Sequence, residues 1–314
     1  MYYFIINPAS KSGLGKRLWT DLRAELDKHE VAYQYYFTKK QFHATTLVRE
    51  ILMHEGAKHI IVIGGDGTLN EAANGFDSYE DATLSYIPSG SGNDFARSIH
   101  LSKEPHELLT SILTSDTPAH YDQGLCVVTP PNNMEDSLFL NGRKFTISCG
   151  IGFDAAICYE ALHSNLKKAL NKVKLGKLTY GLIACKQILS YKLADAQVLI
   201  DGNIIKEYPR IFFIAGMNQP YEGGGFRMSP SAVPTDGKLS IAIFYNMSKL
   251  KAILMLPLVL LGLQSHLKGY ETFDCETIQI KTATPLIVHT DGEYAGTTNQ
   301  LTLSILPEQI TYLR

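Results

Sequence analysis

No net charge of either sign dominates this sequence: 29 Lys and Arg stand against 31 Asp and Glu, a formal charge of −2. A broad basic field for nucleic acid is therefore excluded, and any anionic partner must be held at a local site. No Cys-x-x-Cys pair occurs among the five cysteines, Cys126, Cys149, Cys158, Cys185 and Cys275. That excludes the usual cysteine metal and redox motifs, and the odd, scattered set points to a reducing cytoplasm. No apolar run is long enough for a bilayer, because the longest, "AILMLPLVLLGLQ" at 252–264, falls short of the roughly 20 residues required and contains a proline, Pro257. It is expected to be a Pro-kinked core helix, with membrane docking or the lining of a chain pocket as alternatives. The N-terminal "MYYFIINPAS" lacks a basic stretch and reads as a strand that ends at Asn7 and Pro8, not as a signal peptide. Repeats and low-complexity tracts are also missing. Hydrophobic residues at 45% and charged residues at 19% describe a globular chain with a substantial core.

Along its 314 residues the texture changes once. From residue 1 to about 120, strand-like runs ("YYFIIN", "AYQYYFT", "HIIVIGG", "LSYIP") alternate with helical patterns at 15–30, 42–56 and 68–76, which implies a parallel sheet covered on both faces. Beyond "AHYDQG" the chain turns to strand-like segments and turns, with a Pro-Pro-Asn-Asn loop at 130–133, a helical section at 154–192 and a hairpin turn at 201–203. The boundary is expected near Asp122, with an α/β domain over 1–122, a mainly antiparallel sandwich or barrel-like domain over 123–304, and 305–314 free to return to the first. Exposed strand edges in the second domain could pair in a homodimer.

Three turns follow strands and are rich in small residues. In "HIIVIGGDGTLNEAANG", residues 60–63 carry no polar face, Gly64 and Gly65 let the main chain approach a ligand, and Thr68 can cap the next helix. Such a turn at the carboxyl end of a parallel strand suits phosphate. Asp66 would repel bare phosphate, so a metal-bound nucleotide answers its presence better, although an ordinary strand-to-helix turn is the plainer alternative. "YIPSGSGNDFAR" repeats the arrangement with Ser89, Gly90, Ser91, Gly92, Asn93 and Asp94, and Arg97 could meet an anion or pair with Asp94. "NPASKSGLGKR" is a third turn, with Lys11, Lys16 and Arg17, but without P-loop spacing. Far downstream, "PLIVHTDGEYAG" puts Asp291 and Glu293 at a strand end, where Asp-Gly is also an ordinary hairpin signal. The three glycines at 223–225 suit either an active-site wall or a structural turn. Histidines such as His43, His59, His106 and His289 lack ligand spacing and are expected to be structural, and the basic stretch at 165–177 a solvated helix face.

Taken in order, "GGDGTLNE", "PSGSGNDFAR", "GIGFDA", "GGGFRMSPSAVPTDGKL" and "TDGE" resemble the diacylglycerol kinase catalytic family, and the chain looks like a soluble bacterial lipid kinase of that family, more distantly similar to sphingosine kinases. The resemblance runs from residue 6 to about 296. It implies an α/β N-terminal domain like that of NAD kinases and phosphofructokinases, a β-sandwich C-terminal domain for the lipid, and the site between them. By resemblance, Asp66 acts at ATP and Mg²⁺, with Gly64, Gly65, Gly67 and Thr68 along the phosphates. Asn7, Ser10, Glu71, Ser89, Gly90, Ser91, Asn93 and Asp94 complete the nucleotide site. Asp291 would be the general base and Glu293 would help to organise the metal. Asp122 would support the metal-linked network, and Asp236 fits a structural Mg²⁺ position whose bridging acid is replaced here by Ser240.

These residues imply transfer of a phosphoryl group from ATP to a lipid hydroxyl, diacylglycerol or a relative, at a membrane surface that the chain visits without crossing. A kinase of a soluble substrate is the first alternative, since NAD kinases share "GGDGT". A non-catalytic nucleotide- or lipid-binding protein on the same fold is the second. Retention of Asp66, Asp122, Asp291 and Glu293 together favours catalysis.

Overall fold

Four strands, β1 (Tyr2–Ile6), β2 (Tyr33–Phe37), β3 (Lys58–Gly64) and β4 (Ala82–Pro88), alternate with α1 (Ser10–Lys28), α2 (His43–Leu52) and α3 (Asp66–Ala73) in the first half of a computed structural model. The structure describes residues 1–54, 56, 58–78, 82–129, 142–163, 188 and 191–313. These strands pair in parallel in the order β2–β1–β3–β4. The all-apolar run at 60–63 divides between the two faces. Ile60 and Val62 join Tyr3, Ile5, Leu47 and Leu69 beneath α2 and α3, while Ile61 and Ile63 join Phe4, Ile6, Trp19 and Leu22 beneath α1. Successive side chains of a strand point to opposite faces, so such a run pays its way only when both are covered. Helices α4 (Asp94–Ser98) and α5 (Pro105–Thr114) follow β4, and Leu108, Leu109 and Ile112 of α5 close the α1 face.

The second half contains β5 (Ala119–Thr129), β6 (Arg143–Phe145), β7 (Ser148–Gly152), α6 (Phe153–His163), β8 (Ala194–Ile200), β9 (Ile204–Met217), β10 (Leu239–Tyr245), α7 (Lys249–Leu261), β11 (Tyr270–Cys275), β12 (Thr277–Thr290) and β13 (Glu293–Tyr312). Pairing among these strands is antiparallel. The long strands β9 and β12 each take β8 along one stretch and β7 along the other, so β7 and β8 lie end to end in the slot between them. Two runs that look separate in the sequence, "ETIQIKT" and "PLIVHT", form the single strand β12, with a register shift between Lys281 and Leu286. The turn at 201–203 joins β8 to β9 as expected, with Asp201 at φ 47° and Gly202 at φ 70°.

The change of texture near Asp122 is not a linker. Strands β5 and β13 pair antiparallel straight through it, 119–121 against 310–312 and 123–129 against 300–306, with a register slip between Leu306 and Ile310 at the junction. Tyr312 then pairs in parallel with Leu84 of β4, and Ser85 Oγ donates to Leu313 O at 2.7 Å. One sheet therefore runs through both halves.

Helix α7 departs from the expected core helix. Only Met255 and Val259 are buried along it, and Leu250, Leu254, Leu260 and Leu261 are exposed. No helix among the described residues is long and apolar enough to cross a membrane. Of the helical section expected at 154–192, α6 covers the start; residues 165–177, Cys185 and the 130–133 loop lie outside the described residues.

The turns after β3 and β4 meet main chain to main chain: a Cβ on Gly90 would stand 2.6 Å from Gly65 Cα. Neither backbone can yield without moving its helix. Gly90→Ala is expected to cost about 1–3 kcal/mol as an overpacked contact, measured as a lower urea midpoint; an unchanged midpoint would show that the two turns have room between them.

Candidate active site between the two halves

Asp66 opens α3, immediately after the β3 turn, and its carboxylate accepts the main-chain N–H groups of Asp94 (3.0 Å) and Phe95 (3.3 Å) at the start of α4. It thus ties the two glycine turns together. The Asp94 carboxylate reaches the other way, accepting Gly224 N at 2.7 Å and pairing with Arg97. The two acids converge on Gly92, where a Cβ would lie 3.2 Å from Asp66 Oδ2 and 3.3 Å from Asp94 Oδ2. Burial, then the Asp94 charge, pushes Asp66 up to about 7 against the pull of its two amide bonds, and Asp291 adds to the rise. Burial raises Asp94 as well, while the Gly224 amide and Arg97 oppose it.

Asp291 faces this turn from the other half. It occupies the β12–β13 hairpin, with φ 48° at Asp291 and φ 80° at Gly292, so the sequence Asp-Gly is both a turn and a way of aiming a carboxylate. Asn70 of α3 donates to Oδ2 at 2.7 Å, as do Thr146 N and Thr146 Oγ1 at 2.8 Å each. Ile147 N and Ser148 N donate to Oδ1 at 2.8 and 2.9 Å. Five donors saturate about four lone-pair sites. Asn70 itself is a hub, donating to Lys144 O at 2.9 Å and accepting Arg143 at 2.8 Å. Glu293 stands beside the turn, taking Gln41 Nε2 at 3.0 Å, with Oε1 3.3 Å from where a Cβ on Gly67 would be.

Behind Asp291 lies a buried ionic cluster that sequence reasoning missed. His289 Nε2 is 3.2 Å from both Asp154 Oδ2 and Glu222 Oε1, and all three residues are buried. Burial pulls His289 down, but Glu222 and Asp154 outweigh it and push the ring up to about 9; burial pushes Glu222 up to about 7. Gly292 N also approaches His289 Nδ1 at 3.2 Å. The Gly292 contact needs an unprotonated Nδ1, whereas the two carboxylates at Nε2 favour the charged ring. Cys158, Glu222 and His289 have metal-ligand spacing, with ligand atoms within 4.8 Å of one another. Nε2 carries a proton whether the ring is charged or keeps the Gly292 contact, so it does not act as a ligand as it stands. Gly150 makes room for the pair, since a Cβ there would lie 1.9 Å from Asp154 Oδ2.

Asp154 and Glu222 also line a pocket of about 150 Å³ whose other walls are apolar and include Phe153, Phe213, Phe226, Met247, Met255 and Val259. The motifs "GIGFDA" and "YEGGG" are visible in the sequence, but nothing there pairs Asp154 and Glu222 with His289 from 67 residues further on.

Other expected site residues divide. Asn7 Nδ2 donates to Thr68 Oγ1 at 3.1 Å, so the turn after β1 and the turn after β3 are joined. Ser10 and Ser89 share a buried hydroxyl bond of 2.7 Å and serve each other. Asn93, at φ 53°, accepts Gly90 N at 2.9 Å and shapes its own turn. Ser91 is exposed on the same turn. The Glu71 carboxylate accepts Ala44 N at 3.3 Å and fastens α3 to the start of α2. Asp122 is fully buried and bonds Gly237 N at 2.7 Å. It stands beside Asp236, whose carboxyl is raised by burial and by Asp274 and Asp122. Where Ser240 stands in place of an acid, its hydroxyl donates to Asp274 across the β10–β11 pair, so the neighbouring strand brings a carboxylate to that place. The 223–225 glycines are held to α4 through Gly224 N, which donates to the Asp94 carboxylate.

Comparison with known proteins agrees with this arrangement. Residues 1–123 match the diacylglycerol kinase catalytic domain, and residues 151–314 match the YegS C-terminal NAD kinase beta sandwich-like domain. The chain is 30% identical over 299 residues to a Bacillus subtilis protein named "Putative lipid kinase YtlR", covering 95% of this chain and 94% of that one. It is 28% identical over 297 residues to a diacylglycerol kinase of Staphylococcus aureus, covering 93% and 85%. In fold it resembles the crystal structure of a putative diacylglycerol kinase from Bacillus anthracis, with a TM-score of 0.75 at 23% identity, covering 99% of this chain and 94% of the other. An α/β half bearing the glycine turns, a β-rich half bearing Asp291 and matches across both make this chain a member of the diacylglycerol kinase catalytic domain family.

Proposed function

We propose that the chain is an ATP-dependent lipid kinase that phosphorylates a hydroxyl of diacylglycerol or a related lipid. The pocket carries the choice of acceptor: an apolar chamber with two carboxylates in its lining, next to the Asp291 hairpin, suits an alkyl chain whose polar end lies toward the nucleotide. A soluble, polar acceptor would leave those walls wet and its own groups unpaired.

In this proposal the triphosphate rests on the 64–68 turn, with main-chain N–H groups at the start of α3 toward the phosphates. Asp66 and Asp94 would hold Mg²⁺. They fit it, being hard oxygen donors that converge at Gly92, and Asp66 is a carboxylate raised by burial and neighbouring acids. When bound, the ion neutralises charge on the phosphates. The protein's own task is position: Asn7 holds Thr68, Asp94 holds the glycine wall, and Asn70 and the 146–148 amides hold Asp291. Asp291 accepts the lipid proton as the hydroxyl displaces one of its two side-chain donors, Asn70 or Thr146 Oγ1. The Asp236 position is proposed as a structural cation site with Asp122 and Asp274 beside it.

Asp291→Asn should lower turnover by about 10²-fold or more. It should also lower the urea midpoint, because an amide NH₂ at either oxygen position faces N–H donors. Turnover within tenfold of wild type, measured where the variant is folded, would remove Asp291 as the proton acceptor.

Asp66 has a folded value near 7, above its unfolded value of 3.8, so it contributes stability at low pH that is lost as pH rises through about 7. A divalent cation favours the ionised form. Mg²⁺ is therefore expected to raise the thermal midpoint more at pH 8 than at pH 6, with no such difference in Asp66→Asn, and turnover should climb between those pH values. An equal Mg²⁺ effect at both would argue against Asp66 as a ligand.

A further inference from the structure

Helix α7 is apolar on both sides. Its inner face, with Ala252, Met255, Leu256 and Val259, forms a wall of the pocket. Its outer face carries Leu250 (66% exposed), Leu254 (64%), Pro257 and Leu261 (61%), spaced four, three and four residues apart along one helical stripe, and Leu263 (59%) continues it beyond the Gly262 cap. A helix that is apolar all round belongs inside a core or in lipid, and this one lies on the surface. Exposed leucines scattered singly need no explanation, but a stripe of this kind marks a contact. The charge of its own segment has one sign: residues 248–268 contain Lys249, Lys251 and Lys268 and no Asp or Glu. Lys251 Nζ is drawn back to Lys268 O, which brings the cationic start of α7 to the segment beyond its end.

We propose that the outer face of α7 is a docking surface for an anionic lipid bilayer, lying in the headgroup layer with its leucines inserted and its lysines among the phosphates. The lack of acidic residues favours this occupant over a second copy of the chain, and the helix is too short to span. Continuity supports it as well: one helix separates the proposed bilayer face from the pocket, so a lipid chain has only α7 to pass. The proposal goes beyond the phosphoryl-transfer assignment and does not need it, because vesicle binding can be read without ATP or acceptor.

Purified full-length protein should co-sediment with phosphatidylglycerol–phosphatidylcholine vesicles at least tenfold better than with phosphatidylcholine vesicles, and less as salt is raised. Leu254→Glu with Leu261→Glu should cut that partition at least tenfold, whereas Ile205→Glu, at an equally exposed apolar residue (64%) on β9, should leave it unchanged. Should the double variant fail to fold, Leu254→Trp replaces it, with fluorescence expected to shift to the blue on anionic vesicles over a Trp19 that is buried. Equal partition of the double variant and wild type, no wild-type partition, or no shift in Leu254→Trp overturns the proposal. So does a dimer in solution that the double variant dissociates while vesicle binding survives.

Discussion

The five-donor cradle around Asp291 is the contact on which the rest depends. One donor, Asn70, comes from α3 behind the glycine turn, and four come from the 146–148 turn of the other half. A buried N–H left without an acceptor costs about 1–3 kcal/mol, so the carboxylate cannot drift without releasing several at once. The same hairpin places Glu293 beside the glycine turn at Gly67 and His289 in the cluster that borders the pocket. Position of the acid, of the turn and of the pocket is thus a single geometric fact.

Around that cradle the site accumulates negative charge. Asp94 and Asp291 both raise Asp66, and Arg97 is committed to Asp94. Such an arrangement is unfavourable while dry and empty of cations, and it is tolerated because most of the oxygens are hydrogen-bonded to main-chain amides. Behind it the opposite solution is used: His289 sits between two carboxylates that push its pKa up against burial where solvent does not reach. A buried charge needs partners on every side, which explains why Gly150 leaves space that any side chain would fill.

Helix α7 gives the β-rich half its asymmetry. The body is built from β9, β10 and their neighbours, whose Phe213 and Phe244 face the pocket, and α7 closes over it. Burying Met255 and Val259 holds the helix down, while Arg227 N bonds Val259 O at 3.0 Å near its end. The leucines on its far side contribute nothing to that core.

Local sequence was sufficient for much of this protein. The alternation of apolar runs and helices, the glycine turns after β3 and β4 and the Asp-Gly hairpins are legible because each depends on neighbours within a few residues and on the restricted conformations that glycine and aspartate allow. What only the tertiary structure decided are pairings between distant segments: Asn70 with Asp291, His289 with Asp154 and Glu222, Asp122 with Gly237, and Glu71 with the start of α2. The sequence also could not say that α7 would turn one apolar face inward and another to the surface, or that β5 and β13 would carry one sheet through the supposed boundary. Composition and periodicity report which residues avoid water; which surface receives them is set by packing, and that depends on contacts between residues far apart in the chain.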